Sequence, residues 1–190
     1  MSCLFLSKVS LLVVLVGSLT LPAQAQEYRV DLPIIEAPGF TPVVKVLLKS
    51  TKARLSIPST LPKGFDDGQD VFCTITTLKK LEYEIVVGFG VGCSGGNACR
   101  IGSAYGRWTG RKVVMGTPNY QFERRKAKPV RLVKGLIGFF VNATCGANCS
   151  DSKIFWTDNG WEYMVGLKVG RLAEVRQFAN SAILNVQNAR

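Results

Sequence analysis

The spacing of apolar residues changes once along this chain, and that change limits the fold more than any other feature. Before Gly170 the β-forming runs are short. In the clearest of them Tyr83, Ile85, Val87 and Phe89 alternate with Glu84, Val86 and Gly88, the mark of a strand with one buried face. After Gly170 the spacing becomes three and four. Leu172, Val175, Phe178, Ala179, Ala182, Ile183 and Val186 fall on one stripe of an amphipathic helix over 172–187. Such a stripe needs an apolar surface, and an antiparallel sheet is the one this chain offers. The expected class is α+β: a curved antiparallel sheet packed by one C-terminal amphipathic helix.

The remaining runs fill in that sheet. Residues 43–48 (VVKVLL) and 53–57 are β-leaning, and 70–77 and 82–89 are β-rich. Weaker strands are expected over 105–115 and 119–125, stronger ones over 130–133 and 136–144. Residues 153–157 and 161–167 flank Asp158-Asn159-Gly160. Asn-Gly accepts positive φ at both positions, so a tight hairpin is expected there. Trp156, Trp161 and Tyr163 are read as its sheet packing. Residues 26–42, with Pro33, Pro38 and Pro42, read as an extended leader.

The N-terminus sets the compartment. Lys8, the apolar run 9–17 and Leu21-Pro22-Ala23-Gln24-Ala25 form a cleavable signal peptide over 1–25. The expected product is secreted or periplasmic: a leader over 26–42, then a single domain over 43–190. Cys3 precedes the apolar core, which argues against lipidation at the cleavage point. No later run reaches the ~18–20 residues of a membrane helix, so no span is expected after signal cleavage. Residues 136–143 (LIGFFVNA) read as a buried strand.

Cleavage also changes the cysteine arithmetic. Cys3 leaves, and Cys73, Cys93, Cys99, Cys145 and Cys149 remain. Export favours disulfides. Local spacing suggests Cys93–Cys99 and Cys145–Cys149, with Cys73 free and buried; a cross-link between the two loops is the rival. Each short bridge would stabilise by about 2 kcal/mol.

The net charge is +11, and it is concentrated. Between Arg107 and Lys134 lie Arg107, Arg111, Lys112, Arg124, Arg125, Lys126, Lys128, Arg131 and Lys134, against Glu123 alone. Such a run attracts anionic polymers or lipid headgroups, or serves as a solvated face. An exported chain makes specific nucleic-acid binding a poor expectation. The anion-facing candidates are Arg107, Arg111, Lys112, Arg124, Arg125, Lys126, Lys128 and Arg131.

Familiar chemistries fit badly. The chain has no histidine, which removes the commonest general base and zinc ligand. Gly90-Val91-Gly92-Cys93-Ser94-Gly95 matches a dinucleotide-binding fingerprint, but a cysteine-bounded loop follows where that site needs a helix. Gly92-Cys93-Ser94-Gly95-Gly96 matches a nucleophile elbow without its histidine. Asp66, Asp67 and Asp70 lack the full calcium-loop pattern. Asp151, Asp158 and Glu162 show no acid–base spacing. No catalytic, cofactor or metal residue is expected, and the chain is read as non-enzymatic.

Two stretches carry a resemblance. Pro58-Ser59-Thr60-Leu61-Pro62-Lys63-Gly64-Phe65 and the cadence Trp156, Gly160, Tyr163, Leu172, Phe178-Ala179-Asn180-Ser181-Ala182-Ile183 resemble a bacterial, cyanobacterial-like exported domain family of unknown function. That likeness implies the curved-sheet-plus-helix architecture of periplasmic lipoprotein carriers and sigma-regulatory proteins, with a binding surface and no catalytic set. The expectation is an exported, disulfide-stapled binding domain that meets an anionic envelope polymer or lipid surface. The alternative is a carrier or sensor with an apolar ligand on the concave face of the sheet.

Overall fold

The computed structural model describes residues 36–65, 70–90, 93, 98–110 and 127–188. The signal peptide expected over 1–25 and the first part of the leader lie outside the described residues. Strand β1 (Glu36–Pro38), helix α1 (Phe40–Ser50) and strand β2 (Arg54–Ser56) come first. They are followed by β3 (Val71–Lys79), β4 (Glu82–Phe89), β5 (Arg100–Trp108) and β6 (Lys128–Arg131). A 3-10 turn (Val133–Gly135) leads to β7 (Ile137–Val141), β8 (Asp151–Asp158) and β9 (Trp161–Lys168). Helix α2 (Leu172–Leu184) and β10 (Val186–Asn188) close the described chain.

Eight strands form one open antiparallel sheet in the order β1-β3-β4-β5-β9-β8-β7-β6, and β10 pairs with β2 in a small ribbon. The class is α+β, as expected, with the C-terminal helix packed on the sheet. The structure adds a second helix. Residues 43–48, expected as a β-leaning run, are the middle of α1. Phe40, Val43, Val44 and Leu47 are buried, at the i, i+3, i+4, i+7 spacing of one helix face. Pro42 is no breaker there, because it sits in the first turn, where its missing N–H has no partner to lose. The leader expected to 42 therefore yields at Glu36 to a strand paired with β3.

One face of the sheet carries the main core. Cys73, Tyr83, Ile85, Val87, Ala104, Ile154, Trp156, Tyr163, Val165 and Leu167 pack with Val43 and Leu47 of α1 and Val175, Phe178, Ala179, Ala182 and Ile183 of α2. β2 lies over the same face, tied by two phenols. Tyr83 Oη accepts from Ser56 N at 2.8 Å, and Tyr163 Oη donates to Arg54 O at 3.2 Å. Gly106 makes this possible: a Cβ there would stand 2.5 Å from the Tyr83 ring. The opposite face holds a smaller cluster of Tyr105, Phe155 and Met164.

The hairpin at Asp158-Asn159-Gly160 forms as expected, with φ of 50° at Asn159 and 79° at Gly160. Trp156 and Tyr163 stack at 5.4 Å between centroids and are buried. Helix α2 stops three residues short of the expected 187. The Asn185 amide donates to Ile57 O at 3.0 Å, and the next residues join β2. Tertiary pairing ends the helix where the apolar period alone would continue it.

Register sorts the connections to two opposite ends. The Lys80–Leu81 turn, the end of β5, the β6–β7 link and the Asn159–Gly160 turn share one end, hereafter the turn end. The disulfides Cys93–Cys99 and Cys145–Cys149 lie in the β4–β5 and β7–β8 connections at the other, stapled end. Both bridges are the local ones expected, and Cys73 is free and buried in β3. No helix among the described residues is long and apolar enough to cross a membrane.

Candidate anion-binding surface

Five carboxylates near the sheet are spent internally, while Asp70 is exposed and Glu84 accepts from the Thr77 hydroxyl at 3.4 Å. Asp158 binds Arg54 at 2.7 Å, Asp151 binds Arg100 at 2.5 Å, and Glu162 binds Arg107 at 2.7 Å. Glu82 meets Lys79 at 3.5 Å and accepts from Tyr105 Oη at 3.0 Å. Glu174 pairs with Arg171 and accepts from its backbone N–H, capping α2; these contacts hold its carboxyl below the usual range. Asp151 and Glu162 are buried, where an unpaired charge would be costly. Glu162 stands opposite Arg107 in the β5–β9 register, and Arg100 on β5 reaches Asp151 on β8.

That pairing includes one of the expected anion-facing residues. Arg107 is a half-buried partner of Glu162, its side chain 21% exposed, and is engaged inward. Burial acts to lower its pKa, but the Glu162 hydrogen bond and neighbouring negative charge raise it overall. Lys128 and Arg131 are exposed on β6. Arg111, Lys112, Arg124, Arg125 and Lys126 lie outside the described residues.

Sequence reasoning missed other cations. Lys45 and Lys49 sit one turn apart on the exposed side of α1; their i, i+4 spacing would have signalled this had the segment been read as helical. Lys52, Lys80 and Lys134 are exposed at the turn end, and Arg176 on α2. None of these, nor Lys128 or Arg131, has an acidic partner within ion-pair distance among the described residues. Local folding gathers three of them. Thr51 Oγ1 lies 3.1 and 2.9 Å from the carbonyls of Lys79 and Lys80, and Lys52 N donates to Lys80 O at 2.9 Å. The carboxyl end of α1 is thereby locked to the Lys80–Leu81 turn, bringing the backbone of Lys49, Lys52 and Lys80 together. Lys134 Nζ donates to Ile183 O at 3.2 Å, complementing the last turn of α2.

The face that a carrier would keep for an apolar ligand is filled: Val175, Phe178, Ala179 and Ala182 are fully buried against it. A groove of about 700 Å³ beside α2 is lined largely by polar groups, among them Ser59, Arg176, Gln177, Asn180 and Ser181. Ser94, Asp66 and Asp67 lie outside the described residues. Among the described residues no cluster of three or more metal-ligating side chains occurs. No protein-family model, curated protein or solved structure matches the chain.

Proposed function

We propose that this chain is an exported, disulfide-stapled, non-catalytic domain that holds a polyanionic surface of the cell envelope through its exposed lysines and arginines. Two disulfides fit an oxidising compartment outside the cytoplasm. The observation that carries the reading is the division of charge. Asp151, Asp158, Glu82, Glu162 and Glu174 are tied up in ion pairs, while Lys45, Lys49, Lys52, Lys80, Lys128 and Arg131 are exposed with no acidic partner among the described residues. The field that leaves the molecule is positive, and a surface of closely spaced anions is its complement.

Sedimentation with anionic vesicles and with a soluble polyanion, across a salt series, tests this. Binding at low ionic strength should weaken steadily as the screening length falls from about 30 Å at 0.01 M to about 8 Å at 0.15 M salt. No binding at 0.01 M salt, or binding indifferent to salt, overturns the proposal.

A further inference from the structure

We infer that the turn end of the sheet is a membrane-seating surface, which enters the headgroup layer of an anionic bilayer with Leu81 and Trp108 foremost. This rests on the polyanion-binding reading and narrows it to one partner. Leu81 and Trp108 are 39% and 45% exposed. They face each other across β4 and β5, with Trp108 N donating to Leu81 O at 2.9 Å. Among the described residues exposed large apolar side chains are few, and these two are adjacent.

Their setting is rigid. Trp108 packs on Trp161 at 5.5 Å between centroids and lies so close over Gly160 that a Cβ there would stand 2.8 Å from its ring. Thr109 N donates to Gly160 O at 3.0 Å. The Leu81 turn is held by Thr51 and Lys52, as described above. The apolar pair is therefore presented by fixed backbone and does not have to be ordered on binding.

Charge selects the bilayer's sign. The backbone of Lys49, Lys52 and Lys80 is gathered at the Leu81 turn, and the carboxylates Glu82 and Asp158 at this end are engaged by Lys79 and Arg54. Arg131 and exposed Ile137, partners in the β6–β7 register, lie at the same end of the sheet, on strands further along it. A soluble polymer of charges would use the lysines and leave Leu81 and Trp108 in water. A bilayer uses both, because indole settles at the headgroup level and lysines close to an anionic surface each strengthen binding.

Trp108 also reports on the contact, since the other tryptophans, Trp156 and Trp161, are buried. The test mixes the protein with phosphatidylglycerol-containing vesicles and, separately, with dextran sulfate. Seating predicts a blue shift of emission on vesicles, quenching by brominated acyl chains, and loss of that quenching in Trp108→Phe. Leu81→Ser should weaken vesicle binding about fivefold and leave dextran sulfate binding unchanged. Lys80→Gln should weaken both, by about fivefold on vesicles. Both altered side chains project from a surface turn, and a thermal melt verifies their fold. Vesicle binding without quenching and with equal affinity for Leu81→Ser overturns the seating inference and leaves the charge reading standing. Failure to bind either partner at low salt overturns both.

Discussion

Cys73 Sγ is fully enclosed by the core, and burial alone pushes its pKa up to about 12. A neutral buried thiol is inert, so Cys73 should act as a small apolar side chain. Native protein at pH 8 should resist a thiol-specific reagent and react with one equivalent only on unfolding. The linkage follows from the direction of the shift. As pH rises, the unfolded chain releases this proton first, so stability is complete below about pH 9 and declines as pH climbs towards about 12. Denaturant melts across that window measure the decline. Gly106 offers a second test at this scale. Its missing side chain gives the Tyr83 ring room beneath β2, so Gly106→Ala should destabilise by about 1–3 kcal/mol through overpacking, read as a lower denaturant midpoint.

Helix α1 shows where reading by residue type fails and reading by element succeeds. A short apolar run such as 43–48 does not separate strand from buried helix, because periodicity over six residues is ambiguous. Pro38 and Pro42 pointed to a leader, yet one ends an edge strand and the other lies in a helix's first turn. Where the pattern was long, as in β4, β8, β9 and α2, it specified the element. Where an element is three residues long, as in β1 and β10, pairing with a distant partner creates it and nothing local announces it. The Trp156–Tyr163 cadence behind the family resemblance proves to be sheet packing. Because α1 covers its share of the core with Val43 and Leu47 fully buried, Leu47→Ala should cost about 2–5 kcal/mol. A urea melt reads the loss as a lower denaturant midpoint.

At the scale of the molecule, the basic run was legible as composition, but its availability was not. Arg107 turns inward because its neighbour across β9 is Glu162. Lys49, Lys52 and Lys80 meet only because Thr51 joins a helix end to a hairpin turn, a contact between residues 28–29 positions apart. The same architecture keeps the staples far from the proposed contact. Reducing both disulfides should therefore lower stability by about 2 kcal/mol each while vesicle affinity at low salt stays within twofold; thermal melts and vesicle sedimentation with and without reductant measure the two effects. A loss of binding that parallels the loss of stability would place the contact at the stapled end instead.

The open sheet has a further consequence. Among the described residues its rims are β1 and β6, and each contains a proline, Pro38 and Pro129, beside the exposed cations Lys128 and Arg131 on β6. A proline offers no N–H to an incoming strand, and like charges repel a second copy of the same rim. A protein that gathers on a two-dimensional surface raises its own local concentration, the condition under which unprotected rims recruit one another into fibrils. If the molecule gathers on an anionic surface as proposed, these two short strands would disfavour edge-to-edge pairing of its copies.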